Sequence, residues 1–421
     1  MTSLGLTSTS SPRQIAPARR WVGYAILSGL LSAIVFGVLG FVAFRCWPRE
    51  LLLPRPRILQ TIDSSCRVPT VKHPDRVLIG NLAEFDDGLF AYLMFDHYRS
   101  QPALAGKQLM LISYETGGKP MYRLAIPLPD DLAAGVTELA ELREQQFTSD
   151  IDYDWVTEPV FQRDLHQTKL FVQAYKAPVN ESLNHLHPRE LEAYLRHFIR
   201  FKSLTDPRVR QSTGPVPSPL TSEQASRLAA DMIAVSKFYD VPLELLLGIG
   251  AMENNYLDVA GDLNNTVWKR RVQPDDVVLR RRRGRFLILN NSFGVWQITR
   301  QSLRYAHKLY LEDKRDYYEL PRRLIPPMTL DPENLNPEVL TTYAGLLLRD
   351  LLDKFHDDVF QAAGAYNGTV EHPNFQYAAG VEMVAEYARR VIGCAAELDR
   401  LNVSQTSVSE EKIKTQTAQE Q

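Results

Sequence analysis

The stretch that most constrains this chain is residues 21–44, WVGYAILSGLLSAIVFGVLGFVAF, which carries no charged side chain. Wound as a helix, 24 such residues rise about 36 Å, enough to cross a hydrocarbon core of about 30 Å with some tilt. Trp21 and Tyr24 at one end, and Phe44 and Trp47 at the other, suit the two aromatic belts of a bilayer. A cleaved signal peptide would have a shorter apolar core followed by small residues, whereas FRCWPRE follows here. Cys46 suggests a lipid anchor, but Arg45 directly before it is wrong for that processing. The expectation is an uncleaved, single-pass helix behind a tail formed by residues 1–20. Arg13, Arg19 and Arg20 precede it and Arg45, Arg49, Arg55 and Arg57 follow it, so flanking charge leaves its orientation open.

The whole chain has 421 residues with 48 basic against 50 acidic side chains, a net charge of −2. That balance argues against a nucleic-acid coat. Three cysteines, Cys46, Cys66 and Cys394, exclude a disulfide-dense scaffold and a cysteine-rich metal domain. Beyond the apolar run there is room for two folded parts. Residues 58–204 read as a mixed α/β part: two apolar runs flank Gly117-Gly118 as in a hairpin, 168–175 reads as another strand, and 188–204 has helical spacing. This part carries no catalytic signature; His185 and His187 read as a solvated loop pair rather than half of a metal site. Residues 205–220, with four prolines, read as a linker. From Thr221 the pattern becomes helical: Thr221 to Gln224 forms a capping box, Pro242 precedes an apolar helix, and Asn336-Pro337 opens another. Helices also fit 358–366 and 375–398, and the polar residues 399–421 read as a disordered tail.

Glu253 stands at the end of the apolar stretch Leu243–Met252, in which Glu244 is the one other charge. A carboxyl presented by a buried helix is costly to ionise, which is what a general acid requires. Three signals then occur in order: Met252-Glu253-Asn254-Asn255, Ser292-Phe293-Gly294-Val295-Trp296-Gln297-Ile298, and Gly364-Ala365-Tyr366-Asn367-Gly368. Together they resemble the catalytic domain of the soluble lytic transglycosylase family, whose fold is lysozyme-like and whose pattern is Glu-Ser, Gly-Leu-Met-Gln and Ala-Tyr-Asn. The resemblance covers about residues 221–398. Asn254 stands where the family has Ser, Val295-Trp296 stand for Leu-Met, and the segment between Glu253 and Gln297 is longer, with WKRR at 268–271 and RRRRGR at 280–285.

The resemblance implies cleavage of the β-1,4 bond between N-acetylmuramic acid and N-acetylglucosamine in peptidoglycan, leaving 1,6-anhydromuramic acid ends. Glu253 would be the single acid and then base. Asn254, Gly294, Trp296, Gln297, Tyr366 and Asn367 would line the substrate, although Trp296 reads equally as a packed core aromatic. Asp258 and Asp262 are the candidates for a second carboxylate should water be added instead, and a non-catalytic peptidoglycan-binding role is the rival of another class. The arginine-rich insertion suits either a solvated loop or a grip on wall carboxylates. No phosphate loop, serine nucleophile elbow or zinc motif occurs, so no metal or cofactor is expected. Cys66 and Cys394 stand at the two ends of the exported region and suit either a disulfide or two separate thiols.

The expected architecture is therefore α+β overall: an N-terminal transmembrane helix at 21–44, a mixed α/β ectodomain at 58–204, and a mainly α-helical lysozyme-like domain at 221–398. The expected place is the inner bacterial membrane, the catalytic part facing the periplasm and cell wall. Its partners would be glycan strands and, through one helix, the membrane.

Overall fold

The computed structural model describes residues 75–179, 181–210, 217–257, 265–268, 278–282, 285–288, 292–332 and 334–419. Residues 70–421 form one compact unit. It opens with strand β1 (Arg76–Phe85), helix α1 (Gly88–Arg99), the hairpin β2 (Met110–Thr116) and β3 (Lys119–Pro127), helix α2 (Leu132–Glu144), strand β4 (Asp152–Thr157), and helices α3 (Glu158–Ala174) and α4 (Pro188–Leu204). The four strands make an antiparallel sheet in the order β2-β3-β1-β4. The expected hairpin forms around Gly117 and Gly118, whose φ values of 60° and 75° belong to the left-handed region. A Cβ at either would meet nothing within 4 Å. Conformation, not space, therefore calls for glycine there.

The helical part follows as α5 (Ser222–Tyr239), α6 (Leu243–Asn254), a small sheet of β5 (Asn265–Trp268), β6 (Val278–Arg282) and β7 (Arg285–Ile288), and the two-residue pair β8 (Ser292–Phe293) and β9 (Ile298–Thr299). Helices α7 (Arg300–Glu312), α8 (Val339–Lys354), α9 (Val359–Asn367) and α10 (Phe375–Gln419) complete the unit. The capping box is present in full: the Thr221 side chain accepts from the Gln224 amide, and the Gln224 side chain accepts from the Thr221 amide. The main apolar core runs from Leu78 through α5, α6 and α8 to Ala396, and a smaller one of Ile79, Met110, Ala125, Phe161 and Leu165 packs α3 against the sheet.

Four expectations change. The fold class is mixed α/β, with ten helices among the described residues beside the four-stranded sheet. The membrane-crossing element of that class is corrected too: no described helix is long and apolar enough to cross a membrane. The most uniformly apolar of them, α6, has 12 residues and rises only about 18 Å. The run 21–44 itself lies outside the described residues. Residues 168–174 belong to helix α3 and Tyr175 caps it, so no strand forms there; Phe161, Leu165 and Thr168 are buried at helical spacing while Leu170 stays exposed. Helix α10 continues to Gln419, through the stretch expected as a disordered tail. No glycine or proline follows Gly393 to interrupt it.

Candidate active site

Glu253 sits one residue before the end of α6, a helix whose Leu243, Leu245, Leu246, Leu247 and Ile249 are all buried. The first half of α10 crosses α6 closely, and glycine on α6 permits it, while on α10 the neighbour of Gly380 is the flexible end of Met252. A Cβ on Gly248 would lie 2.6 Å from the carbonyl oxygen of Val381, and one on Gly380 would lie 2.5 Å from Cε of Met252. This approach brings the Tyr377 hydroxyl to 2.7 Å from Oε1 of Glu253, to which it donates. Burial, and then the negative charge of Glu253, push the Tyr377 phenol well above its ordinary value. It stays neutral and keeps its proton for that bond. A neutral phenol can donate to a carboxylate or accept from a carboxylic acid, so one contact serves both states of Glu253.

Tyr366 on α9 feels the same carboxylate: burial first, and Glu253 second, hold its phenol well above the usual range. Its hydroxyl donates to the carbonyl oxygen of Trp296 at 2.9 Å. The second and third motifs are thereby joined beside the first. Trp296 is 1 % exposed and donates its indole N–H to Oγ1 of Thr341 at 3.1 Å. It is a packed core residue whose backbone, not its ring face, meets the site.

Gly294 has φ 62°, and a Cβ on it would sit 2.6 Å from Cδ1 of Leu340. Here conformation calls for glycine, and a Cβ would also have to push aside the Leu340 methyl. Gln297 also has a positive φ, 45°. Its side chain is tied into the turn, with Nε2 donating to the Gly294 carbonyl at 2.8 Å and Oε1 accepting from Ser292 Oγ at 2.7 Å. Asn367 is exposed and accepts from Nδ2 of Asn374 at 2.9 Å. Beside Gln297 and Tyr366 opens a cavity of about 220 Å³, also lined by Thr299, Ser302, Tyr305 and Asp350.

Asn254 is placed differently from the substrate-facing position implied by the resemblance. It is buried, and Arg208 holds it twice: Nη1 donates to its side-chain oxygen at 2.7 Å and Nη2 to its backbone carbonyl at 3.1 Å. Arg208 also grips Asp206 through two guanidinium hydrogen bonds of 2.9 Å. Nδ2 of Asn255 donates to Asp206 Oδ2 at 2.8 Å. Burial alone would raise the Asp206 carboxyl, but the hydrogen bonds from Arg208 and Asn255 hold it below the usual carboxylate range.

Nothing in the sequence pointed to Tyr377, a lone tyrosine in a helix with no motif around it. Asp206 and Arg208 were hidden in the segment read as a linker. Asp258, Asp262 and Cys66 lie outside the described residues. Cys394 is a free, buried cysteine whose Sγ contacts the Ala177 carbonyl oxygen at 3.4 Å. His185 and His187 are exposed. Among the described residues, no group of three or more His, Cys, Asp or Glu is disposed to hold a metal ion. No family model, curated protein or solved structure matches the chain.

Proposed function

We propose that this protein is a peptidoglycan lytic transglycosylase acting outside the cytoplasm, where that polymer lies. Glu253 is its acid–base group. The observation that supports this most is the convergence of three sequence-distant segments on one carboxyl: Tyr377 donates to Glu253 at 2.7 Å, and Tyr366, tied to the Trp296 carbonyl at 2.9 Å, stands in its field. The cavity beside Gln297 and Tyr366, lined by polar and apolar side chains alike, is a candidate place for a sugar unit.

In the reaction, Glu253 gives its proton to the glycosidic oxygen as the bond from C1 of the muramic acid breaks. The acetamido oxygen of the same sugar supports the cationic C1. The Glu253 carboxylate then takes the proton from the C6 hydroxyl while O6 bonds to C1 and closes the anhydro ring. No water is consumed and the residue returns to its starting state. One carboxylate therefore suffices, where hydrolytic glycosidases generally use two. The Tyr377 hydroxyl stays on Glu253 through both proton transfers.

The test is digestion of purified sacculi by the wild type and by Glu253→Gln, with the released muropeptides weighed. Anhydro-ended products from the wild type and a loss of about 100-fold or more in the variant are expected. Products one water heavier would mean hydrolysis. Equal release by the two proteins would refute an enzymatic role for Glu253.

A further inference from the structure

The carboxyl end of α6 holds two consecutive non-glycine residues in the left-handed region, Asn255 at φ 48° and Tyr256 at φ 62°. Asparagine tolerates this conformation; a tyrosine does so only under constraint from its surroundings. Tyr256 is fully buried, and its hydroxyl donates to the Leu247 carbonyl at 2.7 Å. The turn is also closed by two backbone bonds, from the Asn255 amide to the Ala251 carbonyl and from the Tyr256 amide to the Gly250 carbonyl. Asn254 Nδ2 is buried without a hydrogen-bond partner. Strain and an unsatisfied donor beside a reactive group mark a place held for function at the expense of stability.

What holds this turn from outside comes from the segment after α4. Arg208 occupies both oxygens of Asn254, and Asp206 takes the Asn255 side chain as well as Arg208. Asp206 is 2 % exposed, so the carboxylate is fixed within the fold. We infer that Asp206 and Arg208 are positioning residues for the reaction: they clamp the strained end of α6 and so aim Glu253, one residue earlier, at its partners. The departure Asn254 then has a reason. An asparagine side chain reaches Arg208 and offers it an oxygen, so this position serves the clamp instead of the substrate. The inference rests on the acid–base role proposed for Glu253.

The test uses the full chain and soluble peptidoglycan fragments. Arg208→Ala and Asp206→Asn are expected to lower kcat about 10–100-fold, with KM within about twofold, because a misaimed carboxyl impairs proton transfer more than sugar binding. Arg208→Lys, which keeps the charge but lacks the fork, recovers only part of the loss. Leu139→Ala, in the core of α2, gives a destabilised control with unchanged kcat. Equal losses of kcat in Leu139→Ala and Arg208→Ala would overturn the inference, as would wild-type kcat in Arg208→Ala. If the wild type itself releases no product, the functional reading fails. Amide exchange at residues 254–257 then decides the clamp alone. Exchange at least about tenfold faster in Arg208→Ala than in Leu139→Ala supports it, and equal exchange overturns it.

Discussion

Gly248→Ala sets two physical effects of opposite sign against each other. Alanine in a helix interior is favoured over glycine by about 1 kcal/mol, so propensity alone predicts a more stable protein. At this position, however, the new Cβ would lie 2.6 Å from the Val381 carbonyl oxygen and 2.7 Å from Val381 Cγ1. The first of these atoms belongs to the backbone of α10 and cannot rotate away. Ordinary contact requires α6 and α10 to separate by about half an ångström or more, and such overpacking costs about 1–3 kcal/mol. Set against the propensity gain, the steric cost leaves a net loss of up to about 2 kcal/mol. The same separation acts on the bond between Tyr377 and Glu253, now 2.7 Å. Lengthened by that half ångström, it moves beyond the usual range for an O–H···O bond. Thermal unfolding should show a fall of a few degrees, and muropeptide release should drop about tenfold or more. A variant with a raised midpoint and full activity would refute the close-crossing argument, because propensity would then have won at no cost to the site.

Tyr377→Phe removes only the hydroxyl on Glu253 and should lower kcat about tenfold or more, with little change in KM, in steady-state assays on soluble fragments; unchanged kcat would remove Tyr377 from the proton-transfer unit. A separate expectation concerns Asp231, buried on α5 and ion-paired with Arg323. Burial pushes its carboxyl up to about 6 against the pull of Arg323. Its folded value lies above the unfolded one, so the folded state binds the proton more tightly. Stability from this group is greatest below about pH 4 and falls as pH rises through about 6, by roughly 3 kcal/mol at most. Urea unfolding between pH 4 and 7 should show that slope in the wild type and a flatter one in Asp231→Asn; equal slopes would refute the assignment.

Several elements of the fold were legible because their signals are local. The capping box at Thr221–Gln224, the Pro188 start of α4 and the Gly117-Gly118 turn each depend on a few adjacent residues, and each forms as read. Segment 168–175 misled because Thr168, Phe171, Val172 and Tyr175 have β propensity, while the deciding fact is tertiary: Phe161, Leu165 and Thr168 bury one helical face. The tail was read from its polarity, a property of solvation, whereas a helix also needs only the absence of breakers along its length.

The candidate site shows where motif reading ends. Its three motifs name Glu253, the turn carrying Gly294 and Gln297, and Tyr366, and the structure does bring these segments together. Yet most of the named side chains serve each other: Gln297 closes its own turn, Trp296 lies in the core, and Asn254 belongs to Arg208. Tyr377, which no motif contained, donates directly to Glu253. Its placement depends on Gly248, whose missing Cβ leaves room for the Val381 backbone of α10. A glycine in an apolar helix looks like a weak helix former when read along the sequence. Only the crossing of α6 and α10 shows that its missing Cβ is what lets a phenol reach the acid.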